Sequence, residues 1–437
     1  KSSTFFDIHL GKGDEIADYS ANYLADGTTI STIRVFYYSG GERAAQASDI
    51  DVLIRQDTHK ASSIDQIAMT NRKSSTFFEA HLGKGREISD YTYEYENDGT
   101  TVKGVSVFTY EGDQRAADAN SKSALIRQDS YTTNLINAIA VTNRESTTFF
   151  DIHLGKGQEL ADYSLNYKFG TTEVESTSVN FYGNDKRASV ATQDDALTVS
   201  VSYEGVKEVR DLDSPDGGIS NRVSETFFAG DKGYEIADYS KSFKIGTTIV
   251  RAVSVNFYGD GLKRASDSGV STEDALKVSV SYYGEKNVSG IASPDSDTAD
   301  RTSKTLFTGD KGEERAERTF NYYFDGQEIR STTVFGYQKE ALRLATIYRG
   351  EVPPGQDASG VKRAVTLYEG HKGEEKSIKT FNYNFEGTLI LTTTFFEYDA
   401  RGALMRSVTY RGVDRVTGEL VEGGGTDAEG NPILGSA

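Results

Sequence analysis

The phrase Ser3-Thr4-Phe5-Phe6 opens a unit that the chain repeats six times. Its copies are Ser75-Thr76-Phe77-Phe78, Thr147-Thr148-Phe149-Phe150, Glu225-Thr226-Phe227-Phe228, Lys304-Thr305-Leu306-Phe307 and a divergent form at Thr366-Leu367-Tyr368. The first three copies are 72 residues apart. A fixed period of this length indicates stacked copies of one supersecondary unit, each of which buries apolar surface against its neighbours. The period therefore predicts an array rather than a set of unrelated domains.

A β-strand is predicted just after this phrase, in residues 15–23. There Tyr19 and Tyr23 alternate with Asp18 and Ser20. This two-residue period places rings on one face of a strand and polar groups on the other. We therefore expect the rings to pack and the polar groups to face solvent.

A glycine follows this strand in every unit and predicts a hairpin turn. Asp26-Gly27 is a strong type I′ signal, because both central residues of that turn need positive φ. In the third and fourth units the glycine comes one residue earlier, which predicts a different turn type or a bulge. The glycines are Gly27, Gly99, Gly170, Gly246, Gly326 and Gly387.

These signals predict an all-β chain: a tandem-repeat antiparallel β-sheet superhelix, or solenoid-like array, built from β-hairpins. If each unit provides three or more strands, equivalent charges lie ~15 Å or more apart, beyond the screening length of ~8 Å in physiological salt. The expected repeats are 1–72, 73–144, 145–222, 223–301, a shortened fifth at 302–363 and a divergent sixth at 364–422, followed by a Gly-rich tail or linker at 423–437.

The composition excludes several classes of function. The 48 basic and 66 acidic residues give a net charge of −18, which argues against nucleic acid or an anionic membrane as partner. Cysteine is absent, so disulfides and thiolate chemistry are excluded. The sequence has no apolar run long enough to insert into a membrane. Because the chain starts inside a repeat phrase, we expect an excerpt or processed product whose signal peptide lies outside this sequence.

The most regular polar feature is the pattern Lys-Gly-x-Glu, present once per unit. It suggests a Lys–carboxylate isopeptide crosslink, a ladder of ligand-binding groups, or a glycine turn flanked by a surface ion pair. We favour the last of these, a purely structural element of the repeat. The residues are Lys12 and Glu15, Lys84 and Glu87, Lys156 and Glu159, Lys232 and Glu235, Lys311 and Glu314, and Lys372 and Glu375.

Two further series recur in the first four units only. One is Asp-Tyr, at Asp18, Asp90, Asp162 and Asp238; the fifth and sixth units replace it with Glu317-Arg318 and Ile378-Lys379. The other is an arginine before a loop of variable sequence, at Arg43, Arg115, Arg187 and Arg264. Because two units of six lack the Asp, a catalytic role is disfavoured, and strand patterning explains the series.

Metal and cofactor signals are weak. His9, His81 and His153 recur once in each of the first three units and are absent from the fourth and fifth, whereas a zinc site needs three or four convergent ligands. We therefore expect no cofactor, with calcium as the one candidate. The candidate ligands for calcium lie in two acidic loops of the chain, whose spacing departs from that of an EF-hand. They are Asp211, Asp213, Asp216, Asp295, Asp297 and Asp300.

The last unit resembles a known family. Tyr398-Asp399-Ala400-Arg401-Gly402-Ala403-Leu404, followed by Ser407-Val408-Thr409-Tyr410, resembles the YD repeat of RHS-type bacterial proteins. Looser forms stand at residues 38–43, 110–115, 182–187 and 258–264. The resemblance implies β-hairpins in a spiralling sheet of a large bacterial surface protein. The 72-residue period departs from the shorter units of that family.

No nucleophile elbow, phosphate loop or HExxH motif occurs, so we expect no enzymatic activity. The favoured hypothesis is a structural repeat protein, outside the cell or on its surface, that forms or decorates a filament, sheath or scaffold. Its expected partner is itself, as a homopolymer or as part of a longer chain. The alternative is an adhesive module that binds a glycan or protein through the variable loops.

Overall fold

The computed structural model describes residues 2–23, 28–96, 98–338, 341–370, 375–399, 404–411 and 413–419. Regular structure in these ranges consists of β-strands and short 3₁₀ turns, so the predicted all-β class is confirmed. The described residues include no helix with the length and hydropathy needed to cross a bilayer.

Each repeat contributes four main strands in the same order. The first contains β1 (Ser2–Asp7), β2 (Ile16–Tyr23), β3 (Ile30–Tyr38) and β4 (Leu53–His59). The second contains β5 (Arg72–Glu79), β6 (Ile88–Tyr95), β7 (Val102–Tyr110) and β8 (Leu125–Tyr131). The third contains β9 (Arg144–Asp151), β10 (Leu160–Tyr167), β11 (Val174–Tyr182), the two-residue β12 (Lys186–Arg187) and β13 (Leu197–Glu204).

The remaining repeats follow the same plan. The fourth contains β14 (Arg222–Ala229), β15 (Ile236–Phe243), β16 (Val250–Tyr258) and β17 (Leu276–Tyr283). The fifth contains β18 (Arg301–Thr308), β19 (Arg315–Tyr322), β20 (Ile329–Gln338) and β21 (Ala341–Arg349). The sixth contains β22 (Lys362–Glu369), β23 (Lys376–Tyr383), β24 (Ile390–Tyr398) and β25 (Leu404–Arg411).

The chain divides into two compact structural units, each larger than one repeat. They are Lys1–Arg251 with Ala265–Asp274, and Ala252–Arg264 with Ala275–Ala437. In the first unit, successive main strands from β1 to β15 pair antiparallel. In the second, the strands from β16 to β25 do the same. Within a unit, equivalent residues of consecutive repeats are four strands apart, or about 19 Å. The prediction of at least three strands per repeat is confirmed.

The core of the first repeat lies on both faces of the sheet, under loops. On one face Ile33 and Val35 of β3 pack with Ala61 from the loop before β5. On the other, Tyr38 packs with Ile16 and with the loop that follows Arg43. Alternate side chains of β3 thus enter two small cores, and a loop rather than a second sheet covers each core.

The hairpin glycines have positive φ at all five described positions, for example +65° at Gly99 and +71° at Gly170. The type I′ turn predicted for the Asp-Gly pair is wrong for the second repeat, because the Gly99 N–H donates to the Glu96 carbonyl, so that Gly99 closes the turn instead of being one of its two inner residues. The Asp98 carboxylate accepts the backbone N–H of Thr100 and Thr101. Gly27 lies outside the described residues.

The earlier glycine of the third repeat changes the turn, as expected. The Gly99 N–H donates to the carbonyl of Glu96, whereas in the third repeat the Thr171 N–H donates to Lys168, so that Gly170 becomes an inner residue of the turn. The bulge beside the turn is present in both hairpins and does not distinguish them.

We predict that Gly99→Ala destabilises its hairpin more than Gly170→Ala does. Both changes place alanine at positive φ, at a cost of about 1–2 kcal/mol. At Gly99 the new methyl group would also overlap the Met69 carbonyl oxygen and lie 2.7 Å from the Thr70 carbonyl carbon, whereas at Gly170 nothing lies within 4 Å. Hydrogen exchange at the Glu96 and Lys168 amides, which close the two hairpins, measures the difference. Equal acceleration in the two variants would contradict the steric argument.

Candidate functional site: the clamp between repeats

In the first five repeats the Lys-Gly-x-Glu pattern lies in the loop between the first and second strands. In the second repeat, Gly83 and Gly85 have φ of +84° and +77°, which turns the chain tightly on both sides of Lys84. Lys84 and Glu87 consequently leave the loop toward the preceding repeat, and both contact its backbone.

The Glu accepts a hydrogen bond from the backbone N–H of a leucine at the start of the fourth strand of the preceding repeat, the first residue of that strand in four copies and the second in the fifth. Five copies make this bond: Leu53 to Glu87 at 3.0 Å, Leu125 to Glu159 at 3.0 Å, Leu197 to Glu235 at 3.0 Å, Leu276 to Glu314 at 3.1 Å and Leu342 to Glu375 at 2.9 Å. In three copies the second carboxylate oxygen accepts the N–H of a glycine in its own loop, Gly157, Gly233 or Gly312. One carboxylate thus joins two repeats through backbone groups.

The Lys donates to a backbone carbonyl in the loop that follows the recurrent arginine of the preceding repeat. The bonds run from Lys84 to Asp49 at 2.8 Å, from Lys156 to Ser121 at 3.0 Å and from Lys232 to Gln193 at 2.5 Å. Lys311 instead lies 5.7 Å from the centre of the Tyr258 ring. We call the Lys and Glu contacts together the clamp.

The clamp differs from the surface ion pair that the sequence favoured. For Lys84, Lys156 and Lys232 the partner is a backbone carbonyl of the preceding repeat, whereas an isopeptide bond would need a side-chain carboxyl or carboxamide group. Glu15 of the first repeat accepts the Gly13 N–H of its own loop at 3.1 Å. Lys372 lies outside the described residues.

The loop that receives the lysine is itself held by a short polar turn. In the first repeat the Asp51 carboxylate accepts the backbone N–H of Ser48 at 2.6 Å, and Asp195 accepts that of Thr192 at 2.7 Å in the third. The Thr192 N–H and the nearby Lys186 lower the pKa of Asp195 to about 2. Contacts within this loop therefore position the carbonyl that the lysine of the clamp contacts.

The recurrent Asp and Arg form ion pairs within a repeat. Arg43 donates two bonds to Asp18 at 2.8 and 2.7 Å, Arg115 meets Asp90 at 2.6 Å, and Arg187 meets Asp162 at 2.7 Å. The expectation that this Asp faces solvent is wrong for these three. Each Asp is the extra residue of a β-bulge, as Asp18 is between Ala17, opposite Phe6, and Tyr19, opposite Phe5. A bulge redirects its side chain, here to the loop that carries the arginine.

Arg187 is the most enclosed of the three arginines, with 10% of its side chain exposed. It also donates to the carbonyls of Val209 and Leu212, at 2.6 and 2.9 Å, in the loop before β14. Arg264 donates in the same way to Val288 and Ile291, at 2.9 and 3.0 Å. The arginine thus fixes two loops of its repeat.

The fifth repeat reaches a similar result with different residues. Glu317 occupies the bulge, and Arg318, from the same strand, donates to the Val352 carbonyl at 2.7 Å and to Glu317 at 3.1 Å. Arg318 also replaces the tyrosine that stacks on phenylalanine in earlier repeats, such as Tyr91 on Phe77 at 4.7 Å. The sequence contained a signal for this pairing, because the Asp and the Arg are present together in four repeats and absent together from two.

A tyrosine at the end of the third strand anchors the second strand. The hydroxyl groups of Tyr38 and Tyr110 donate to the carbonyls of Ala17 and Ser89, at 2.5 and 2.6 Å. Burial, assisted by the nearby Asp18 carboxylate, raises the pKa of Tyr38 to about 12. The phenol therefore remains a donor at neutral pH.

The recurrent histidines connect loops of their own repeats. The Nε2 atoms of His81 and His153 lie 3.1 and 2.9 Å from the carbonyls of Ala119 and Ala191. His9 contacts Asp7. Throughout the described ranges, no three or more His, Asp or Glu side chains converge as a metal site would require.

Neither acidic loop brings its three calcium candidates together into a cluster. Asp211, Asp213 and Asp300 are exposed. Basic side chains lie against the others: Arg301 at 2.9 Å and Lys304 at 2.6 Å from Asp295, Lys286 at 2.9 Å from Asp297, and Arg222 at 3.7 Å from Asp216. Calcium binding stays a prediction, for which the described carboxylates form no cluster.

Comparisons with known proteins identify no family. No family model and no curated protein matches the chain. Among solved structures, the TcdB2–TccC3–Cdc42 complex aligns at 9% identity and a TM-score of 0.16, covering 95% of this chain and 23% of that one. TcdB2–TccC3 aligns at 8% identity and a TM-score of 0.17, covering 94% and 24%. The chain thus spans about a quarter of their length, and at these scores the likeness supports no inference. The YD-repeat resemblance stays a prediction, and residues 400–403 of its motif lie outside the described ranges.

We predict that Glu159→Gln loosens the joint between the second and third repeats. The two donors, Leu125 N–H and Gly157 N–H, meet different oxygens of the carboxylate, and glutamine replaces one of these oxygens with an NH₂ group that would face one of the donors. Loss of a hydrogen bond to a charged acceptor costs about 1.5–3 kcal/mol. Hydrogen exchange should accelerate by at least tenfold at whichever of the Leu125 and Gly157 amides faces the NH₂ group. The matched control is Glu15→Gln, which alters an equivalent glutamate whose described bond is to its own loop. Unchanged exchange at both the Leu125 and the Gly157 amide would refute the clamp.

We predict that Arg187→Met is far more destabilising than Arg115→Met. Removal of Arg187 leaves Asp162 and two loop carbonyls without their donor, and breaking a buried pair costs about 3–5 kcal/mol. Arg115 has 40% of its side chain exposed, and we expect its loss to cost about 1 kcal/mol or less. Urea unfolding of the two variants measures the difference. Similar midpoints would show that burial does not set the strength of these pairs.

Proposed function

We propose that this chain is a non-enzymatic structural repeat protein that forms or decorates an extracellular filament, sheath or surface scaffold. The observation that carries the proposal is the clamp. At five described joints a leucine N–H donates to the Glu carboxylate of the next repeat; the five acceptors are Glu87, Glu159, Glu235, Glu314 and Glu375. A contact repeated in this way makes the joint between repeats independent of position in the chain, so length can be extended one repeat at a time.

The recurrent polar residues support the same function, because they contact the framework rather than a common cleft. Glu159 binds backbone of the preceding repeat, Asp162 binds Arg187, and His153 binds the loop at Ala191. An active site needs a nucleophile, base or acid whose geometry serves a substrate. Here the groups that would provide one hold loops and strands in place.

Self-association is the partner proposal that fits this framework. A net charge of −18 favours a hydrated surface and disfavours nucleic acid. Each repeat already pairs edge to edge with its neighbour within a unit, as β4 does with β5. The same backbone pairing between chains would lengthen the array without new chemistry.

Electron microscopy of the purified chain tests the proposal, with an in-phase deletion of residues 73–144 as the matched variant. We expect chains joined end to end at high concentration. The deletion should preserve assembly and shorten each subunit, because Lys156 and Glu159 would then meet Asp49 and Leu53 in place of Ser121 and Leu125.

Dispersed monomers at all concentrations would refute self-assembly. Labelling of intact cells of the source organism with an antibody against the chain tests the location. A signal that appears only after permeabilisation would refute an extracellular site.

An adhesive module is the second candidate, and the exposed tips of the variable loops favour it. Ile50 and Val190, in the loops after Arg43 and Arg187, are 78% and 66% exposed. Exposed apolar side chains mark a contact surface where they form a contiguous patch. Binding to a glycan array or to cells that is lost in an Ile50→Ser/Val190→Ser variant, with assembly intact, would favour adhesion over a purely structural role.

A further inference from the structure

The loop between β17 and β18 contains the one Asn-x-Ser/Thr sequence of the chain, Asn287-Val288-Ser289. Sequences of this type are acceptors for N-glycosylation. Glu285 stands two residues before the asparagine, where its carboxylate offers a bacterial oligosaccharyltransferase a third group to recognise. We propose that Asn287 is an N-glycosylation site that the folded repeat presents to such an enzyme.

The geometry of the tripeptide suits this chemistry. The side chains of Asn287 and Ser289 are exposed. The Asn287 carbonyl oxygen Oδ1 accepts the backbone N–H of Ser289 at 3.1 Å and its hydroxyl at 2.8 Å. These bonds occupy Oδ1 and hold the hydroxyl beside the amide, and the reacting nitrogen Nδ2 is on the other side of the carboxamide carbon. An enzyme that reads both side chains would find them already adjacent.

The equivalent loop of the third repeat shows which positions support the fold. Lys207 and Lys286 donate to the carbonyls of Gly218 and Ala299, at 2.9 and 2.8 Å. Val209 and Val288 accept from the recurrent arginines, at 2.6 and 2.9 Å. These anchors point inward and are the same in the two loops.

The positions between the anchors are exposed in both loops, and they differ in sequence. The third repeat has Val206, Glu208 and Arg210 where the fourth has Glu285, Asn287 and Ser289. All three changes that create the extended acceptor sequence therefore fall on outward positions, while the inward positions are unchanged. The loop keeps its framework role and gains a modification site.

The reaction transfers an oligosaccharide from a lipid diphosphate. Nδ2 of Asn287 attacks the anomeric carbon of the first sugar, a C–N bond forms and the C–O bond to the diphosphate breaks. Nδ2 loses one proton to a base of the enzyme, and the lipid diphosphate leaves with the bonding electron pair. No oxidant or reductant is needed.

Because lipid-linked transfer acts on exported chains, the inference rests on the proposed extracellular location. The site is tested separately with the purified folded chain, a purified bacterial oligosaccharyltransferase and its lipid-diphosphate-linked oligosaccharide. Intact mass should increase by one glycan per chain, and peptide mass mapping should place it on Asn287. Asn287→Gln and Ser289→Ala should abolish the modification, and Glu285→Gln should reduce it at least tenfold.

The third repeat provides a gain-of-function test. Val206→Glu/Glu208→Asn/Arg210→Ser places the same sequence on the equivalent loop, and this variant should accept a second glycan. A folded wild-type chain that stays unmodified, whether or not the urea-unfolded chain is modified, would overturn the proposal. Transfer in vitro together with an intracellular location of the protein would retain the site and refute the location.

Discussion

The backbone N–H that opens the fourth strand of a repeat needs an acceptor, and the next repeat in the chain provides it. At Leu125 that acceptor is the carboxylate of Glu159, 34 residues away. An unpaired N–H at this place would cost about as much as a lost hydrogen bond, because Leu125 packs beside the buried Ile88 and Tyr110. The hydrophobic cluster of one repeat is therefore completed by a polar group of the following repeat. Folding of neighbouring repeats is coupled at this point, and regular spacing of the clamp along the sequence follows from it.

Much of the fold was predictable because it depends on local periodicity. The alternation around Tyr19, the recurrent turn glycines and the 72-residue period define an antiparallel meander with several strands per repeat. The alternation and the turn glycines act over a few residues, so each copy of the repeat shows them. Their repetition removed the ambiguity that a single short strand would have left.

The candidate site was less predictable because its contacts cross long stretches of sequence. Lys84 and Glu87 stand close together, which suggested an ion pair between them, yet each bonds to backbone 35 or 34 residues earlier. A backbone donor or acceptor is present in every residue type, so the sequence pattern could not indicate which residue was the partner. The Asp18–Arg43 pair was missed for a different reason: the strand period assigned Asp18 to the solvent side, whereas a bulge redirects it toward the loop. A one-residue bulge is invisible to a two-residue period.

The fifth repeat shows that the loops need a hydrogen-bond donor at one position and do not need a particular set of residues to provide it. Arg318 replaces an aromatic ring and an arginine from another loop at once, and its guanidinium still reaches the Val352 carbonyl. Because the requirement is a donor at one place, the supporting pair can be exchanged as a set while the Leu342–Glu375 joint is preserved. A catalytic group could not be replaced in this manner, since its chemistry as well as its position would be needed. The residues that vary together are those that hold loops, and those that persist join repeats. This division is what the proposed structural role predicts.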